Sequence, residues 1–144
     1  MLPRASLFAI AVCAITVGCA SVQPRAFFKP LKIDCDGSRM CVVDVSVTCP
    51  SDPQLNCSVS VGYDLVLLRN KQGNDKITWL LPQGSDFTFP DNGIEVDNDN
   101  FTCKPDGKVK FVCSAKPGFG VYKYVVNVKG IRKADSLDPW IVNN

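Results

Sequence analysis

Six cysteines, Cys35, Cys41, Cys49, Cys57, Cys103 and Cys113, most constrain what this chain can fold into. Cys41 and Cys49 bracket a segment in which Val43, Val45 and Val47 share a face with both cysteines. Asp44, Ser46 and Thr48 share the other face with Val42. This period-two alternation predicts a strand with one face buried and one mostly wet. The eight steps from Cys41 to Cys49, at about 3.3 Å each, hold the ends of such a strand roughly 26 Å apart. A disulfide needs Cα atoms within about 7 Å, so a Cys41–Cys49 bond is excluded. Cys35 and Cys41 flank Asp36-Gly37-Ser38-Arg39, Cys49 and Cys57 flank a turn-rich stretch, and Cys103 and Cys113 flank Lys104-Pro105-Asp106-Gly107. These three local pairs are the expected set. Six thiols allow fifteen pairings, and spacing alone leaves the others open.

The rest of the chain carries the same signals. Cys57-Ser58-Val59-Ser60-Val61 alternates, and Tyr63 to Leu68 continues it, with Gly62 suggesting a bulge or bend between them. Ile77, Trp79 and Leu81 mark an inward face that ends at Pro82. A short strand is expected around Phe87 and Phe89, and a turn at Asp91-Asn92-Gly93. Pro105-Asp106-Gly107 predicts a hairpin. A second clear strand runs from Val121 to Lys129, with Tyr122, Tyr124, Val126 and Val128 facing one way. Period-two placement assigns Trp79, Trp140, Tyr122 and Tyr124 to the core. Short strands with frequent turns and no helical period predict an all-β, disulfide-bonded antiparallel β-sandwich.

The first residues read differently. Arg4 is the only charged side chain before Arg25, and Leu7 to Val17 is apolar except for Thr16. A basic residue followed by an apolar run of this length is a signal peptide. It is too short to span a bilayer, which takes roughly 17–25 apolar residues. Val17-Gly18-Cys19 resembles the lipobox of bacterial lipoprotein signal peptides, although Thr16 stands where Leu is commonest. The resemblance covers residues 1–19. It implies that Cys19 is lipidated and becomes the mature N-terminus, with 1–18 as signal peptide. The stretch 19–30, with Pro24 and Pro30, then reads as a lipid-anchored tether and 31–144 as the β-sandwich domain. Within that class, Ala20 and Ser21 after the cysteine imply sorting to the outer membrane. The competing outcome is ordinary cleavage before Ser21, with Gly18-Cys19-Ala20 as a small-x-small site. That would release a secreted or periplasmic protein. Under lipidation, Cys13 leaves with the signal peptide and Cys19 carries lipid. The remaining six of eight cysteines form an even set in an exported domain.

Composition removes several function classes. The chain has no histidine, hence neither the commonest general base nor the commonest metal ligand. The formal net charge is +2 and no basic stripe stands out, so no nucleic-acid partner is expected. Without histidine or a Cys-x-x-Cys pair, zinc has no ligand set. Asp91, Glu95, Asp97 and Asp99 form an acidic run, but Gly93 and the missing closing glutamate break the calcium-loop order. Turn chemistry accounts for such a run. The stretch Gly118-Phe119-Gly120-Val121-Tyr122-Lys123-Tyr124 is similar to a late strand of cupredoxin-like sandwiches. That resemblance covers about ten residues and implies a similar sandwich only. Type-1 copper needs two histidines and a cysteine, so no cofactor is expected. Trp79 lies between Cys57 and Cys103, an arrangement loosely similar to that of immunoglobulin-like sandwiches.

No set of nucleophile, base and oxyanion donor can be named. The expectation is a non-enzymatic cell-envelope lipoprotein, similar to small lipoproteins of Gram-negative envelopes. Its partners are the membrane, through the N-terminal lipid, and a protein of the envelope. The alternatives are a secreted inhibitor or adhesion module, and a carboxylate-dependent hydrolase. The Ser-Gly-x-x-Tyr loop of lipoprotein lysozyme inhibitors is missing.

Overall fold

A computed structural model describes residues 31–35, 41–69 and 75–143, all of it strand, turn or irregular chain with no helix. Ten strands follow in order. They are β1 (Lys32–Cys35), β2 (Cys41–Thr48), β3 (Ser58–Val61), β4 (Leu65–Leu68) and β5 (Lys76–Leu80). Then come β6 (Ile94–Val96), β7 (Phe101–Pro105), β8 (Lys110–Ala115), β9 (Gly120–Val126) and β10 (Trp140–Asn143). They make two five-stranded sheets, one ordered β1-β4-β10-β9-β6 and the other β3-β2-β5-β8-β7.

The all-β, disulfide-bonded character read from the sequence is present. The antiparallel arrangement is not: both sheets are mixed. β1 and β10 each pair in parallel with β4, and β2 pairs in parallel with β5. The cause lies in the order of the strands. β1 sits in one sheet and β2 and β3 in the other, and β4 returns to the first. Sheet neighbours are therefore often not chain neighbours, and a strand that returns after visiting the opposite layer can align in parallel. The antiparallel pairs β2/β3 and β7/β8 are joined directly through the turns that their sequences predict.

Gly62 marks more than a bend. β3 ends at Val61 in one sheet and β4 starts at Leu65 in the other. Gly62-Tyr63-Asp64 carries the chain between layers, held by the Gly62 amide donating to Asp44 O at 2.8 Å and the Asp64 amide to Leu31 O at 2.9 Å. At the β7/β8 hairpin, Gly107 has φ +96°. Side-chain-bearing residues rarely adopt that backbone state, and this is the reason for Pro105-Asp106-Gly107 at the tip.

The two inner faces form one core. Val43, Val45, Ile77, Trp79, Phe111 and Cys113 come from one sheet and are buried. Val66, Leu68, Tyr124, Val126 and Ile141 come from the other. Burial of each large aliphatic side chain contributes on the order of 1.5–3 kcal/mol. Aromatic pairs bridge the layers: Phe101 of β7 meets Tyr122 of β9 edge-on at 5.2 Å between ring centroids. The layered arrangement is sandwich-like.

Three sequence expectations change. The strand read from Val121 to Lys129 stops at Val126, after which Asn127 amide donates to Gly93 O at 2.7 Å. Around Phe87 and Phe89 there is a single bridge, Thr88 to Lys129, rather than a strand, although both rings are buried. Trp140, assigned to the core, is 43% exposed. In β10 it is Ile141 and Asn143 that point inward.

Candidate functional surface

Cys19, its preceding segment 1–18 and the tether 19–30 lie outside the described residues. The other six cysteines are all paired. Cys35 bonds to Cys41 with Cα atoms 5.5 Å apart, Cys49 to Cys57 at 4.1 Å and Cys103 to Cys113 at 4.0 Å. Each bond closes one connection of the chain. The first ties the end of β1 to the start of β2, so it staples one sheet to the other. The second closes the turn between β2 and β3. The third joins directly opposed residues of β7 and β8. Such a complete set suits an oxidising compartment, outside the cell or in the envelope.

Arg132 supports the second bond. Its guanidinium donates to Pro50 O at 2.8 Å, Asp52 O at 2.7 Å and Leu55 O at 2.7 Å, all within the loop that Cys49–Cys57 closes. The next residues extend this junction: Cys57 amide donates to Lys133 O at 2.8 Å and Asp135 amide to Cys57 O at 2.9 Å. A planar fork with several donors matches three converging carbonyls.

Asp91, Asp97 and Asp99 of the acidic run lie in turns, and Glu95 lies in β6, opposite Val125 on the outer face of its sheet. Asn127 Nδ2 donates to Asn92 O and to Glu95 Oε2, each at 2.9 Å. Asn98 Oδ1 accepts from the Asn100 amide at 2.8 Å. Asp91, Glu95, Asp97 and Asp99 are all exposed. Among the described residues, no three Asp, Glu, Cys or His side chains are grouped so as to hold a metal ion. Asp75 is half-buried and every other described carboxylate is exposed. At the hairpin tip, Lys110 bonds to Asp106 at 2.6 Å and holds that carboxyl below its usual range.

The most distinctive surface lies on the outer face of the β1-β4-β10-β9-β6 sheet. Strand register aligns Lys32, Leu65, Trp140 and Lys123 in one row across four strands. Asp34, Leu67, Val142 and Val121 form the next row. Their inward neighbours Val66, Ile141 and Tyr124 are buried, which fixes these rows as outward. Leu65, Leu67, Val142 and Val125 are half-buried, Val121 is 62% exposed and Trp140 43%. Lys123 Nζ sits 5.0 Å from the centroid of the Trp140 ring. Asp34 is neutralised by a two-pronged pair with Arg69, closest at 2.6 Å. A sheet face in water normally alternates to polar residues on its outside. This one does not.

Sequence reading missed this face. Val121 and Val125 alternate with the outward Lys123, and Trp140-Ile141-Val142 is apolar throughout. A run that is apolar at every position does not say which residues face out.

No protein-family model matches the chain, and no curated protein matches it. No described helix is long and apolar enough to cross a membrane.

Proposed function

We propose that the protein is a non-enzymatic lipoprotein of the cell envelope. It is fastened by lipid at Cys19, sorted to the outer membrane, and acts through its β domain as a binding or structural module. The reading rests on Val17-Gly18-Cys19 at the end of the apolar segment. The three disulfides support it, because they pair every cysteine after Cys19 among themselves, so none of those six needs Cys19 as a partner. Exposure of nearly every described carboxylate supports a non-enzymatic role. A carboxylate hydrolase needs at least two such groups sheltered and facing one substrate.

The domain is a sandwich of cupredoxin-like or immunoglobulin-like type. The mixed pairing favours the cupredoxin-like form, since immunoglobulin sheets are antiparallel. So does the core position of Tyr124 in the Gly120-Val121-Tyr122-Lys123-Tyr124 strand.

Metabolic labelling with radioactive palmitate tests the anchor. The wild-type chain takes up label and the Cys19→Ser variant does not. An unlabelled wild type overturns the reading. It would favour the second one, in which Gly18-Cys19-Ala20 directs cleavage before Ser21 and a soluble inhibitor or adhesion module is released.

A further inference from the structure

We propose that the outer face of the β1-β4-β10-β9-β6 sheet lies on the headgroup region of an anionic phospholipid bilayer. This rests on the reading that Cys19 fastens the chain to a membrane. Three observations converge on it.

The first is connectivity. Twelve residues separate Cys19 from Lys32, the first residue of β1. Fully extended, the thirteen steps reach at most roughly 45 Å. A domain of about 100 residues has a radius of gyration near 13 Å and so a diameter of roughly 34 Å; even fully extended, the tether exceeds that diameter by only about a third. The tether enters through β1, the edge strand of this very sheet.

The second is the chemistry of the face. Leu65, Leu67, Val142 and Val121 form an apolar centre, and Trp140 stands in the row beside Lys123. Tryptophan places an apolar ring and a polar N–H at the level of lipid headgroups. Lysine lays its methylene stem along apolar surface while its charge stays in water. The Lys123–Trp140 stack at 5.0 Å has this amphipathic form.

The third is charge. Lys32 and Lys123 close the two ends of one row, and the Asp34 charge in the other is taken up by Arg69. On β6 the exposed Glu95, opposite Val125, adds one negative charge to the same face. Lys32 and Lys123 outweigh it, so the face keeps a net positive charge around an apolar centre, which complements an anionic lipid surface.

Trp140 supplies the test, because the chain has two tryptophans and the other, Trp79, is fully buried. The full lipidated protein is reconstituted into vesicles of phosphatidylethanolamine and phosphatidylglycerol carrying spin-labelled lipids. A label near the headgroup should roughly halve Trp140 emission and a label at the bilayer centre should do less. Trp140→Phe should remove the quenched component and leave the Trp79 emission. The exposed double variant Lys32→Glu/Lys123→Glu should keep the anchor and lose most of the quenching. Protein that takes up palmitate and sediments with vesicles, yet shows no headgroup quenching of Trp140, overturns this inference while the anchor stands. So does shielding of Trp140 that appears only at high protein-to-lipid ratio, which marks a second copy on the face. Protein with neither label nor sedimentation removes the anchor, and the inference with it.

Discussion

Trp79 of β5 and Tyr124 of β9 meet edge to face across the two sheets, with ring centroids 5.3 Å apart and planes at 60°. Both are fully buried, and neither the indole Nε1 nor the phenol oxygen makes a hydrogen bond of ordinary geometry. Burial pushes the Tyr124 phenol up from 10.0 to about 12, against the opposing pull of the Trp79 indole and with a smaller push from Asp64.

The pH dependence follows from that shift. In the unfolded chain Tyr124 loses its proton near 10, and in the folded chain near 12. Between these values the unfolded state binds fewer protons, so stability falls as pH rises. The contribution is fully present below pH 10 and lost by about pH 12, with a size of about 2–3 kcal/mol. Tyr124→Phe should flatten this decline. At neutral pH it should change stability by no more than about 1 kcal/mol, since the hydroxyl meets only the Trp79 indole, and that outside ordinary hydrogen-bond geometry. Urea unfolding of both proteins across the alkaline range measures it.

The Arg132 clamp should be worth more than a surface arginine. Its three bonds hold the loop that Cys49–Cys57 closes. Arg132→Ala should lower stability by about 2–4 kcal/mol, because charge-assisted bonds are lost and three carbonyls are released. Arg132→Lys should restore less than half, since an ammonium group lacks the planar fork. A shift in urea midpoint at unchanged slope reads the difference.

The disulfides should act separately. Loop-closure entropy assigns each of these short loops about 2–3 kcal/mol. Cys103→Ala/Cys113→Ala should lose that amount and still fold, because β7 and β8 keep their ladder. Cys35→Ala/Cys41→Ala removes the staple between sheets. It should also speed amide exchange in β1, an edge strand whose ladder runs to β4 alone. Hydrogen exchange on the two variants separates these effects.

Legibility in the sequence followed the physics of each residue. β2 was plain, because Val43 and Val45 alternate with Asp44 and Ser46 and one register alone buries the apolar set. The β7/β8 hairpin was plain, because Gly107 needs positive φ. The change of sheet at Gly62 was not, because a bend within a strand and a crossing between layers leave the same local signal. The parallel pairs were hidden because register between distant strands such as β4 and β10 is set by tertiary packing. Trp140 was misplaced for a related reason. Alternation tells which residues share a face, and only the partner sheet decides which face is inside. The apolar outer face could therefore be seen only once β4, β9 and β10 were side by side.

Intact mass spectrometry of the unreduced protein, purified from envelopes, decides whether the chain is anchored at Cys19. The expected species starts at Cys19, carries diacylglycerol and an acyl group, and is six hydrogens lighter than its reduced form for three disulfides. An unmodified chain starting at Ser21, or one still carrying the segment before Cys19 without lipid, would contradict it.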